Sequence, residues 1–271
     1  MVHKKIRITA EGTKADAQLY TYFLDNSRQF HVDEKRPVVL ICPGGGYAFL
    51  SDREAEIVAV QFLAQGFHAA VLRYSCAPAE YPAALTEVAA SVLFLREHAE
   101  EYYIDADKIV VMGFSAGGHL AASFGCFWTE SFLCSALKTQ REMLRPNGLI
   151  LCYPVITSGE FAHRDSFVHL LGSQYEQLVD QMSLENQVNE DVPKTFIWHT
   201  FMDEGVPVEN SLLFVAALRK KKIPTEFHMY PVGGHGLSLA NSLTNSEDGN
   251  SYQEECQSWL PMACMWLRHL R

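Results

Sequence analysis

Short, almost wholly apolar runs punctuate the chain: Val38–Cys42, His68–Leu72, Ile109–Met112, Leu149–Cys152 and Thr195–Trp198, with a sixth, more mixed run at Glu226–Tyr230. Runs of this length without polar alternation suit strands that are covered on both faces. The longer stretches between them carry helix patterns at about 52–65, 82–99, 117–127, 207–221 and 253–270. In the fourth, Val208, Leu212, Val215 and Leu218 recur at the 3.6-residue helical period, with Pro207 in the first turn. Strand alternating with helix predicts an α/β fold: a mostly parallel central sheet with helices on both faces. Residues 7–31, with Leu19, Tyr20, Tyr22 and Phe23, predict one or two antiparallel strands at an edge of that sheet.

The rhythm breaks between Pro154 and Pro193, where about 40 residues show no strand pattern but include Phe161, Phe167, Leu170 and Leu171. A second irregular stretch covers 126–146. No Gly/Ser linker, composition shift or repeat divides the 271 residues. At roughly 100–200 residues per domain, with α/β folds of this size often single, the chain reads as one domain over 1–271 with a small cap insertion around 155–192. A hydrophobic fraction of 48% and a charged fraction of 20% exclude a disordered chain, a fibre and a coiled coil. The net charge of −10, without a basic block, argues against a nucleic-acid partner. Arg219–Lys222 reads instead as a helix end, its cations facing the negative end of the helix dipole. No run of 18 apolar residues suggests a membrane span. The start, Met1–Arg7, lacks the apolar stretch of a signal peptide. The seven cysteines form no CxxC pair, and Cys42 and Cys152 lie inside strand runs. A reduced, cytoplasmic protein without a cysteine-bound metal is expected. Homo-oligomerisation is left open.

The chemistry centres on Gly113-Phe114-Ser115-Ala116-Gly117, a G-x-S-x-G pattern between the strand run ending at Met112 and the small-residue helix pattern from Gly118. A serine in a sharp strand-to-helix turn is pushed out above the sheet, and the flanking glycines remove side chains that would collide there. Such a serine needs a base, and in folds built around this turn the order is serine, then acid, then histidine. Asp203 follows the strand Thr195–Trp198 and is the expected acid, with Glu204 as the fallback. His235, between Gly233-Gly234 and Gly236, follows the strand 226–230 and is the expected general base. Of the other histidines, His119 is expected to pack behind the serine, His199 to line the site or be buried, and His228 to be structural. Pro43-Gly44-Gly45-Gly46-Tyr47, directly after the strand 38–42, can aim backbone N–H groups at an oxyanion, with the N–H of Ala116 as the companion donor. A phosphate loop would need G-x-x-x-x-G-K-[ST], and no lysine follows.

With these motifs in place, the sequence resembles the α/β-hydrolases of the esterase/lipase branch with an HGGG-type oxyanion loop. Pro43-Gly44-Gly45-Gly46 stands where that branch has His-Gly-Gly-Gly, with Pro43 replacing the histidine that braces the loop. It is more closely similar to small bacterial acetylesterases, acetyl-xylan-esterase-like and feruloyl-esterase-like proteins. Pro-Gly-Gly-Gly-Tyr, Leu72–Ser75 with Tyr81–Leu85, and Ser166–Gly172 carry that likeness, over about residues 36–271. The resemblance implies the α/β-hydrolase fold, loop donors at Gly45 and Gly46, and a serine ester hydrolase that uses Ser115, Asp203 and His235. Such an enzyme would need no cofactor or metal and would take a small-molecule ester, with acetylated or feruloylated sugars as candidates. An amidase, formamidase or aminopeptidase-like hydrolase is the alternative, and a non-catalytic binder a third reading. The modest insertion points to short acyl chains. Tyr47, Phe49 and Tyr74 are candidates for an aromatic wall that binds the leaving group.

Overall fold

The six apolar runs become six parallel strands, and two antiparallel strands extend them at one edge. In chain order the strands are β1 (Lys5–Ile8), β2 (Ala17–Tyr22), β3 (Arg36–Cys42), β4 (His68–Arg73), β5 (Ile104–Phe114), β6 (Gly148–Cys152), β7 (Thr195–Thr200) and β8 (Thr225–Tyr230). They pair in the order β1-β2-β4-β3-β5-β6-β7-β8. The β1/β2 and β2/β4 pairs are antiparallel and the rest parallel. This computed structural model describes residues 1–9, 17–29 and 32–270. Residues 10–16, 30 and 31 of the expected edge segment therefore lie outside the described residues.

The helices are α1 (Glu56–Ala64), α2 (Ala83–Glu97), α3 (Ser115–Phe127), α4 (Ser131–Leu137), α5 (Arg164–Leu171), α6 (Tyr175–Leu178), α7 (Glu209–Lys220) and α8 (Trp259–Arg268). Alternation along the strands feeds two apolar layers: Val38, Leu40 and Cys42 face one, Val39 and Ile41 the other. The chain is an α/β-hydrolase fold. Among the described residues no single helix is long and apolar enough to cross a membrane.

α7 buries most of the face its periodicity predicts, with Val208 and Leu218 buried and Val215 packed on the core, and it adds two polar residues to that face. On α7 the buried residues are Asn210, Ser211, Phe214 and Leu218, while Leu212 is 44% exposed. The polar pair is buried because it is fully used. Asn210 Oδ1 accepts the N–H groups of Ile156 and Thr157 at 2.8 and 3.0 Å. The Ser211 hydroxyl meets His199 Nδ1 at 2.8 Å. A hydrophobicity pattern does not see burial of this kind.

Between β6 and β7 the chain leaves the sheet for α5, α6 and short 3₁₀ turns. The excursion is tied down at several points. Tyr81 N–H donates to the Leu170 carbonyl at 2.8 Å, and the Glu80 carboxylate accepts the Ser173 N–H and hydroxyl, both at 2.8 Å. His119 Nε2 donates to the Met182 carbonyl at 3.0 Å.

Candidate active site

Parallel register brings the loops after β3, β5, β7 and β8 to one edge of the sheet, where sites of open α/β sheets form. After β5, Ser115 takes a φ of 52°, in the left-handed region, and is itself the first residue of α3. Ordinary side chains cannot flank this turn. A Cβ on Gly113 would meet the Gly117 carbonyl oxygen at 1.9 Å, and one on Gly117 would meet the Cys42 oxygen at 2.2 Å.

The structure brings Ser115, His235 and Asp203 into one hydrogen-bonded line. Ser115 Oγ lies 2.7 Å from His235 Nε2, and His235 Nδ1 lies 2.7 Å from Asp203 Oδ2. The carboxylate can only accept from His235, so Nδ1 carries the proton and Nε2 is left to accept from the serine. Asp203 is 4% exposed and fully coordinated. Its Oδ1 accepts the N–H groups of Gly205 and Val206 at 3.0 and 2.8 Å, and Oδ2 also meets His199 Nε2 at 3.2 Å. Burial alone would push its carboxyl up, but the hydrogen bonds and charges of His199 and His235 outweigh that and hold it well below the usual carboxylate range. Glu204 points to solvent. His199 is buried behind the acid, its Nε2 also donating to the Val206 carbonyl at 2.9 Å. His119 is buried between Met182 and the Tyr47 hydroxyl, and His228 pairs with Glu226 on the edge strand.

The glycine loop after β3 is held at three points. The Pro43 carbonyl accepts the Tyr74 hydroxyl at 2.7 Å, Gly44 N–H donates to Glu54 Oε2 at 2.8 Å, and His169 Nδ1 donates to the Gly46 carbonyl at 3.0 Å. Gly45, Gly46 and Tyr47 have φ values of 125°, 63° and 58°. The first two of these positions need glycine's freedom to turn. The N–H groups of Gly45 and Gly46 have no hydrogen-bond partner among the described residues. The N–H of Ala116 sits in the first turn of α3, where no intrahelical acceptor exists.

A pocket of about 680 Å³ opens over Ser115, His235, Gly45 and Gly46, with Phe49 on its wall. The β6–β7 excursion contributes His163, Asp165 and His169 to the same pocket. Tyr47 and Tyr74 do not form the expected aromatic wall. Both are 2% exposed and absent from the lining, because their hydroxyls are turned inward to His119 and Pro43. Burial, and then the charge of His235, lower the pKa of His163, whose Nδ1 meets Ser166 Oγ at 2.8 Å. Glu54 and His163 carry no motif of their own, while His169 lies in the Ser166–Gly172 stretch. Glu54 stands among Asp52, Arg53 and Glu56, and His163 beside Arg164 and Asp165, so neither is marked out by its neighbours, whereas His169 is a polar residue between Val168 and Leu170. Among the described residues no group of three or more His, Cys, Asp or Glu side chains converges as a metal site.

A family model described as BD-FAE matches residues 24–218. Over 234 residues the chain is 40% identical to an endo-1,4-beta-xylanase B of Butyrivibrio fibrisolvens, covering 82% of this chain and 36% of that protein. Over 205 residues it is 31% identical to an acetylxylan esterase of Xylanibacter ruminicola, covering 73% of this chain and 40% of that protein. The chain thus spans little more than a third of the length of these two curated relatives. Among solved structures it superposes on an acetyl ester-xyloside bifunctional hydrolase from Caldicellulosiruptor lactoaceticus with a TM-score of 0.83 at 33% identity, covering 98% of this chain and 95% of that one. The carboxylesterase Cest-2923 from Lactobacillus plantarum gives a TM-score of 0.85 at 27% identity, covering 99% and 97%.

Proposed function

The chain belongs to the BD-FAE family of esterase-type α/β-hydrolases, and from that premise we propose that it is a serine ester hydrolase that removes short acyl groups, acetyl above all, from hydroxylated alcohols such as sugars. The observation that carries this reading is the unbroken line from Ser115 Oγ through His235 to Asp203, with both links at 2.7 Å. The names of the relatives, an acetylxylan esterase and an acetyl ester-xyloside hydrolase among them, support the substrate class.

In this reading His235 Nε2 takes the Ser115 proton as Oγ attacks the ester carbonyl. The oxyanion meets the N–H groups of Gly45, Gly46 and Ala116, of which a single one is typically worth about 3–4 kcal/mol. The imidazolium, steadied by Asp203, passes its proton to the departing alkoxide and leaves an acyl-Ser115. Water, deprotonated by the same imidazole, then releases the acid and restores the serine. No step uses a metal or cofactor.

The test is a series of aryl esters of rising acyl length, an acetylated xylo-oligosaccharide and the matching acetyl anilide. Turnover should be highest on acetate and fall beyond about four carbons. Ser115→Ala should lower it by about 10⁴–10⁶ while the fold survives. Faster cleavage of the dodecanoyl ester, or of the anilide, would overturn the substrate assignment. More than about a tenth of the activity left in Ser115→Ala would overturn the mechanism.

A further inference from the structure

Arg53 and Glu54 adjoin in the chain just before α1, yet they reach into two different loops of the site. Glu54 is 4% exposed. Its Oε2 accepts the Gly44 N–H at 2.8 Å, and its Oε1 accepts the Tyr153 hydroxyl at 2.6 Å. Tyr153, just past β6, is 1% exposed, and its ring stands edge-on to that of His235 with centroids 5.1 Å apart. The Tyr153 oxygen in turn accepts the Ser238 N–H at 2.8 Å. The Ser238 hydroxyl donates to the carbonyl of Arg53 at 2.6 Å, which closes the circuit on the dipeptide where it began. The Arg53 guanidinium adds Nη2 to the Gly236 carbonyl at 3.0 Å and Nε to the Thr244 carbonyl at 2.7 Å.

We propose that Arg53-Glu54 is a positioning dipeptide that holds the glycine loop and the His235 loop in register, so that oxyanion donors and general base are set by one buried network. What it positions rests on the hydrolase reading above. The network passes directly behind the nucleophile: a Cβ on Gly44 would lie 2.6 Å from Glu54 Oε2 and 3.0 Å from Ser115 Cβ. It also stands in for a missing part. Where the HGGG branch has a bracing histidine this chain has Pro43, and here the adjacent amide is braced by a carboxylate. Every polar atom named in the circuit has a partner, and a satisfied buried network of this kind moves as a unit.

The test uses Glu54→Ala, Glu54→Gln and Arg53→Leu in the full chain. Glu54→Ala should lower kcat by about 10²-fold, within the range for a lost oxyanion donor. KM should change by less than about threefold, and affinity for a trifluoromethyl ketone should fall by the same factor as kcat/KM. Glu54→Gln, whose amide oxygen still accepts from Gly44, should recover at least about a tenth of the wild-type kcat. Amide hydrogen exchange, which needs no substrate, should quicken in both the 44–49 and the 232–238 segments of Glu54→Ala and of Arg53→Leu. A kcat within about threefold of wild type in Glu54→Ala, or exchange that quickens in one loop alone, would overturn the proposal. If Glu54→Ala does not fold, the other two variants decide by the same measures. A wild-type chain that cleaves no ester would overturn the hydrolase reading, while exchange would still decide whether the two loops are tied.

Discussion

Asp203 and Glu204 are neighbours in sequence with opposite environments. Asp203 is surrounded by donors: two backbone N–H groups on Oδ1, and His235 and His199 on Oδ2. Glu204 faces solvent. In Asp203→Asn an amide can present N–H to His235 Nδ1 and favour the tautomer whose Nε2 is already protonated and cannot accept from Ser115. Turnover on an acetyl ester should fall by about 10⁴, by analogy with the serine-protease aspartate, with little change in KM. Glu204→Gln should cost less than about tenfold. Steady-state kinetics of both variants on one substrate check this, and the reverse ranking would move the acid to Glu204. His199 belongs to the same small assembly. Its Nε2 donates to Asp203 and Val206 while Ser211 supplies its Nδ1, so the acid's own support is oriented by α7.

The turn that carries Ser115 is a joint between three elements. The left-handed φ of Ser115 costs roughly 1–2 kcal/mol on its own. Around it the start of α3 presses on the end of β3, since a Cβ on Gly117 would meet the Cys42 and Pro43 oxygens at 2.2 and 2.4 Å. Gly117→Ala should therefore destabilise the chain by about 3 kcal/mol or more in urea unfolding. Gly234→Ala, where an added Cβ meets nothing within 4 Å, should change stability by less than about 0.5 kcal/mol. Equal midpoints for the two variants would contradict this view of the joint. The joint was legible in the sequence because its constraint is local: strand, glycine, serine, glycine and helix stand side by side. The strand runs were legible for the same reason, since burial on both faces leaves no polar residue to break them. The sequence pattern starts α3 at 117, since a serine in a turn reads as lying outside the helix, whereas here the turn and the first helical residue are the same residue. The burial of Asn210 and Ser211 on α7 and the inward-facing Tyr47 and Tyr74 were not legible. In each case a polar atom is buried by a partner far off in sequence, as when Tyr74 bonds to Pro43 and Ser211 to His199. The role of Glu54 is hidden in the same way, its partners Gly44, Tyr153 and, through Tyr153, Ser238 being spread over most of the chain.

Across the whole molecule, buried neutral histidines link stability to pH. Burial lowers the pKa of His68 and His119 to about 4, which their backbone hydrogen bonds only partly offset. Unfolded, each would titrate near 6.5. Between those values the unfolded chain binds protons that the folded chain refuses, so stability falls as pH drops through the window. Each histidine contributes a slope of up to about 1.4 kcal/mol per pH unit. Asp203 does not enter here, since its contribution is present above the ordinary carboxylate range and is lost only below it. Urea midpoints should therefore drop between about pH 7 and about pH 5, and His119→Gln should remove a substantial part of the slope. A flat profile would contradict the buried neutral state. The bond from His169 on α5 to the Gly46 carbonyl bears on the molecule in another way. The segment between β6 and β7 that lines the pocket over Ser115 also grips the glycine loop on the pocket's other side. What the enzyme accepts and how fast it reacts are then not separate modules for evolution or for engineering. A chimaera that took this segment from a relative would have to bring its own donor for Gly46, or trade reactivity for its new selectivity.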